Sequence, residues 1–182
     1  FNEKTVAWAK RCLLDLICVA AVGRKTKLSN IIHTHAVDHF PSGKKSASLI
    51  FDGRKTSPLG AALAGGMTID SIDAHDGSKP TKGHVGCGLL PSLLAFAESE
   101  DLNDGKEFLT RLIIGYEIVT RCGIALHATA PDYHTSGAWI APTCAALGAR
   151  ALHLPYEEMR HAIGIAEYHG PRSQMIRVID HP

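Results

Sequence analysis

Between Asp70 and His84 the sequence places three aspartates (Asp70, Asp73, Asp76), two histidines (His75, His84) and two lysines (Lys79, Lys82). Carboxylates, imidazoles and ammoniums at this density shift one another's pKa values through mutual charge and desolvation, as acid–base chemistry near neutral pH requires. The plainer alternative is a solvated loop whose aspartates cap helices.

Other residues offer less. His33, His35 and His39 share one predicted helix, and His35 with His39 has the four-residue spacing of a helical metal pair. Asp38, the nearest possible third ligand, points to another face at about 100° per residue, so an amphipathic helix surface is the expected role. Cys87 lies three residues from His84, but a glycine-rich turn does not ensure a nucleophilic Cys–His contact, and a buried thiol is expected. Trp8 and Trp139 fall in apolar helices and read as core. His127, His153, His161 and His169 show no partner pattern. Gly83, Gly86 and Gly88 lack the preceding strand and spacing of a phosphate-binding fingerprint.

The elements that must position these groups are mostly helical. Val6, Ala9, Leu13, Leu16, Ile17, Ala20 and Ala21 recur at spacings of three and four over Thr5 to Val22, with Gly23 expected as a left-handed cap. A second helix is predicted from Ser29 to His39, stopped before Pro41. Ser46 to Phe51, Asp52-Gly53 and Arg54 to Thr56 read as one β-hairpin. Ser57-Pro58 then opens a small-residue helix that includes Gly60 to Met67. Further helices are predicted over Leu89 to Glu98, Lys106 to Leu126 (capped by Asn103 or Asp104), about Ala138 to Leu152, and Pro155 to Glu167. The expectation is a mainly α multi-helix domain with one short β-hairpin, its core formed by the helices containing Leu13 to Val22, Leu89 to Ala97, Leu109 to Val119 and Ala145 to Leu152.

Composition narrows the function classes. The 182 residues are 45% hydrophobic and 20% charged, with 19 Lys and Arg against 18 Asp and Glu, as in an ordinary globular domain. A net charge of +1 and 6% aromatics argue against a nucleic-acid binder, which needs basic excess and stacking surfaces. The longest apolar run, Leu16 to Val22, is far short of a membrane span. Five cysteines without a CxxC pair read as reduced thiols, pointing to a reducing, cytoplasmic compartment. The chain opens at Phe1 and ends at His181-Pro182, and it is expected to be part of a longer protein.

Several ordered strings give the function a sharper form: Ile72-Asp73-Ala74-His75-Asp76 with His84 downstream, Leu90-Pro91-Ser92-Leu93-Leu94-Ala95-Phe96-Ala97-Glu98, Ile114-Gly115-Tyr116-Glu117-Ile118 with Arg121, Tyr133-His134-Thr135-Ser136-Gly137, and Ala162-Ile163-Gly164-Ile165-Ala166. With Ser57 to Gly66 upstream, they cover almost the whole chain and resemble the MmgE/PrpD family. That family includes 2-methylcitrate dehydratases, cis-aconitate decarboxylases and iminodisuccinate epimerases, and has a large helical domain with a smaller α/β domain. The sequence departs from its pattern at His75-Asp76, where a pair of aspartates is common, at Gly77, where a hydroxyl residue is usual, and at Val85, where proline often follows the histidine.

The resemblance implies that residues 1–182 are the helical domain, with the α/β domain expected beyond residue 182. It implies cofactor-independent acid–base catalysis at a carbon beside a carboxylate of a small di- or tricarboxylate, without a metal, most nearly a 2-methylcitrate dehydratase-like lyase. A decarboxylase or epimerase of the same family, or a non-catalytic helical dimerisation scaffold, are the alternatives. Asp73, His84 and His134 are the implied catalytic residues: Asp73 to orient or polarise a histidine, His84 for proton transfer, and His134 for a second proton transfer or a grip on a carboxylate. Lys82 and Thr135 are the implied substrate-binding residues. The implied partners are the polycarboxylate and a second copy in a homodimer, with no nucleic acid and no membrane. The isolated fragment is expected to fold, to self-associate through an apolar face and to turn over nothing.

Overall fold

The computed structural model describes residues 1–170. The described residues form seven α-helices: α1 (Glu3–Gly23), α2 (Lys27–His39), α3 (Pro58–Asp70), α4 (Gly86–Ser99), α5 (Gly105–Thr129), α6 (Gly137–Ala151) and α7 (Tyr156–His169). Strands β1 (Ala47–Ser48) and β2 (Lys55–Thr56) form the expected hairpin around Asp52-Gly53, with Ala47 opposite Thr56. Among the described residues no helix is long and apolar enough to cross a membrane.

The helix starts follow from local chemistry. Asn2, Thr26 and Ser57 each accept a hydrogen bond from the backbone N–H three residues on, capping α1, α2 and α3, and Pro58 opens α3, where its missing N–H costs nothing. Asp104 Oδ1 takes the Lys106 N–H at the head of α5, at 2.8 Å.

The chain forms two compact units. The first comprises Phe1–Asp76 and Gly86–Ile113. Leu16, Leu49, Ile69, Leu89, Leu90, Leu93 and Leu112 are fully buried in it, and α3 packs extensively on α4. Close backbone approach explains two of its glycines. A Cβ on Gly65 would stand 2.7 Å from the Pro91 side chain, and one on Gly23 would stand 2.1 Å from the Thr68 carbonyl. Gly23 is therefore not the left-handed cap expected from sequence. It is the last residue of α1, followed by Arg24 in right-handed geometry, and its missing side chain admits α3. Pro91 lies well inside α4, which begins at Gly86 rather than Leu89.

The second unit comprises Gly77–Val85 and the described residues from Ile114 on. Trp139, Leu147 and Val119 are its large buried side chains, and α6 packs on α7. It holds an element the sequence reading did not contain, a second two-residue pair of strands. In it β3 (Gly77–Ser78) lies antiparallel to β4 (Gly83–His84), joined by a 3-10 turn over Lys79–Thr81 and by Lys82 at φ 55°. Strands of two residues carry no alternation, so periodicity could not reveal them. Trp139 is core as expected, but Trp8 is 55% exposed, with the Arg11 guanidinium 4.9 Å over its ring.

Candidate functional site

The segment with the densest chemistry is divided between the two units, and each part is built differently. In the first unit α3 ends at Asp70 and the chain reverses through Asp73, whose φ of 48° is a left-handed conformation that aspartate tolerates better than most residues. The Asp73 N–H closes the turn on the Asp70 carbonyl at 3.0 Å, and the Asp73 side chain is exposed. The reversal carries His75 inward, where its side chain is wholly buried and its Nε2 lies 3.1 Å from Asp70 Oδ1. Next along the chain, Asp76 accepts the Gly86 N–H on both carboxylate oxygens, at 3.0 and 3.1 Å, so a carboxylate sits at the N-terminus of α4. Cys87, in the first turn of that helix, is buried. Burial, with the charges of Asp70 and Asp76, pushes its thiol up to about 12. In that setting it is a protonated thiol at neutral pH, as expected from sequence, and not a nucleophile.

The second unit gathers Lys82, His84, His134 and Thr135. Two segments about fifty residues apart in sequence are stitched together: the His84 N–H donates to Ser136 Oγ at 3.0 Å, and the Tyr133 hydroxyl donates to the Lys82 carbonyl. A Cβ on Gly83 would stand 2.7 Å from Ser136 Oγ and 2.8 Å from the Trp139 ring, so the strand bearing His84 lies flat on the head of α6. His134 is 8% exposed. Its Nδ1 lies 2.8 Å from the Asp132 carbonyl. A carbonyl can only accept, so Nδ1 carries the proton and the neutral ring keeps its lone pair on Nε2, the form a general base needs. Lys82 is exposed, while His84 and Thr135 are half-buried. The Thr135 carbonyl accepts the Ala138 N–H at 3.1 Å and so helps begin α6.

One residue in this group was given no chemistry from sequence. His127, near the end of α5, packs its ring 5.4 Å from that of Tyr133 and 4.9 Å, edge to face, from that of Trp139. Burial lowers its pKa, and the charge of Lys82 lowers it further, so it is held neutral beside that ammonium. A signal existed: Gly123 belongs to the core-facing stripe of its helix, and His127 follows four residues later on the same face. Asp73, the third residue the resemblance implied, lies in the first unit. The histidine helix resolves differently. His33 is fully buried, whereas His35 and His39 stack on each other with ring centroids 4.5 Å apart.

The candidate site of the second unit thus offers a histidine with a fixed tautomer, a neutral histidine, a cation, hydroxyls and a further histidine on an anchored strand. Together they can remove and return a proton and hold an anionic group. The first unit holds a set of metal-ligand type, in which Asp70, His75 and Cys87 bring one ligand atom each within 4.8 Å of one another.

Comparison with known proteins places these residues in context. The MmgE/PrpD N-terminal domain matches the chain over residues 1–177. The Cis-aconitate decarboxylase-like protein oryM of Aspergillus oryzae is 29% identical over 167 residues, covering 87% of this chain and 34% of that relative. The chain therefore spans about a third of that protein's length.

Proposed function

The chain belongs to the MmgE/PrpD family, and from that premise we propose that the full-length protein is a lyase that moves protons on a small di- or tricarboxylate, with His134 and His84 as its proton-transfer groups. The observation that carries this reading is the pairing of the two histidine-bearing segments in the second unit, through His84 N–H to Ser136 Oγ and Tyr133 hydroxyl to the Lys82 carbonyl, with His134 locked as the Nδ1–H tautomer.

Breaking a C–H or C–CO₂ bond beside a carboxylate leaves negative charge that must spread onto that carboxylate. Such a reaction needs a base, an acid, and cations or hydrogen-bond donors at the carboxylates. His134 Nε2 suits the base. His84, held through its own backbone to α6, suits the acid. Lys82 and the Thr135 hydroxyl suit a substrate carboxylate. His127, neutral beside Lys82, packs against Tyr133 and Trp139 and adds no charge to compete with that cation.

Dehydration of the 2-methylcitrate type and decarboxylation are the two leading forms of the reaction. The name of the Aspergillus oryzae relative supports the second. They differ in what leaves. Dehydration expels hydroxide from the carbon next to the deprotonated one and needs the acid to protonate that oxygen. Decarboxylation releases CO₂ and then needs the acid to protonate carbon.

The test is to incubate full-length protein with a panel of citrate-like and aconitate-like acids in deuterated water, following elimination, CO₂ release and deuterium incorporation by NMR. Elimination or CO₂ release on one acid, with loss of at least about 10²-fold in the His134→Gln variant, is the expected result. A full-length protein inert to the whole panel would support a scaffold instead.

A further inference from the structure

The cluster at the end of α3 lies wholly in the first unit. The geometry points to a transition-metal site of the zinc class in the first unit, with Asp70, His75 and Cys87 as its ligands and water completing a fourth position. Carboxylate oxygen, imidazole nitrogen and thiolate sulfur are the three donor types that zinc and its analogues accept together. Their ligand atoms already lie within 4.8 Å of one another, and Asp70 Oδ1 is 3.1 Å from His75 Nε2. Metal bonds of about 2.0–2.3 Å in a tetrahedron set ligand atoms roughly 3.3–3.8 Å apart. The cluster therefore needs to contract by up to about 1.5 Å, a change within reach of side-chain torsions.

Three features hold the donors where a metal would find them. The Asp73 N–H to Asp70 carbonyl bond fixes the turn that brings His75 inward. Asp76 ties the end of that turn to the Gly86 N–H, one residue before Cys87. The close approach of Gly65 to Pro91 keeps α3 and α4 in register. His75 and Cys87 are buried, whereas the Asp70 side chain is 63% exposed. A cation thus meets an exposed carboxylate first. Binding exchanges a proton for the metal: the S–H bond breaks, the sulfur–metal bond forms, and the proton passes to water. Such a metal would clamp the end of α3 to the start of α4 and fix the turn that carries Asp73.

Titration of the full-length protein with Co²⁺, a spectroscopic substitute for zinc, tests the site without any activity measurement. The expected result is one Co²⁺ per chain with a near-ultraviolet thiolate-to-cobalt charge-transfer band, displaced by Zn²⁺. Cys87→Ser abolishes the band. Asp70→Asn, a change at an exposed position, keeps the band but weakens binding by about tenfold or more. Circular dichroism of each variant establishes that it is folded. A folded wild-type protein without the band, a band that survives in Cys87→Ser, or an Asp70→Asn affinity equal to wild type would each overturn the assignment. Should Cys87→Ser fail to fold, the Asp70→Asn affinity alone decides.

Discussion

Two polar clusters, one in each unit, are both built on a buried histidine, and they behave as opposites. In the first unit Asp52, at the hairpin tip, accepts Arg24 Nη2 at 2.6 Å, Arg54 Nε at 2.6 Å and His33 Nδ1 at 3.2 Å. His33 turns its other nitrogen to the Thr68 hydroxyl at 2.9 Å. Every strong acceptor there is used, and both nitrogens of the histidine are occupied. In the second unit His134, among the described residues, spends only Nδ1, on the Asp132 carbonyl. The difference teaches that saturation, more than the count of charged residues, separates a structural cluster from a chemical one. A network that uses every acceptor fixes the hairpin beside α1 and α2, while a histidine with one nitrogen committed is oriented and still able to act.

The sharpest way to break this contrast is to exchange the outcomes. His134→Gln in the full-length protein is expected to lower kcat by about 10²–10⁴-fold with an unaltered melting temperature. Steady-state kinetics alongside thermal melting reads both, and a variant that melts early but retains turnover would place His134 with the structural histidines. Asp52→Ala should do the reverse. The substitution strands Arg24, Arg54 and His33 around a vacated acceptor and is expected to cost about 2–4 kcal/mol in urea unfolding, the lower end allowing for the partial exposure of Arg54. Turnover per folded molecule should be unchanged.

A smaller effect comes from pH. His33 has a folded pKa below its ordinary value of 6.5, chiefly through burial, with the charge of Arg24 also lowering it and the Asp52 hydrogen bond opposing. A lowered folded pKa means that the unfolded chain binds the proton first. The contribution of His33 to stability is therefore complete above 6.5 and is lost as pH falls from there toward the folded value. The slope from this residue is at most one proton, about 1.4 kcal/mol per pH unit. Urea midpoints between pH 7 and pH 5 should fall less steeply in His33→Gln than in the wild type, and equal slopes would contradict the assignment. Asp52 adds nothing in this window, since its guanidinium partners and His33 hold its carboxyl far below the usual carboxylate range.

Much of this was legible in the sequence wherever a local rule governs the backbone. Ser57-Pro58 starts a helix and Asp52-Gly53 turns a hairpin because the relevant hydrogen bonds and torsions lie within a few residues. The failures are tertiary. Gly23 looks like a cap but serves the close approach of α3, which no local pattern reveals. Trp8 sits at a helical position as apolar as that of Trp139, yet only Trp139 is enclosed. His33 seemed one of three equivalent histidines until Asp52 and Thr68, 19 and 35 residues away, occupied it. In the candidate site the motif resemblance supplied His84 and His134. His127 was overlooked because its neighbours, Tyr133 and Trp139, come from the next loop and the next helix.

The strand bearing His84 has a further consequence, for the order in which the protein is made. Residues 77–85 are translated before α4 but belong to the unit completed from Ile114 on, and the hydroxyl that anchors His84 comes 52 residues later. At about 5–20 residues per second, roughly 3–10 s of synthesis separate the two. During that interval α3 and α4 can already associate around the fifteen residues between them, of which the nine of the second unit wait as a tethered loop on the ribosome. The acid–base strand is thus set among the last steps of folding, after the scaffold that flanks it in sequence, as expected for a contact of long sequence separation.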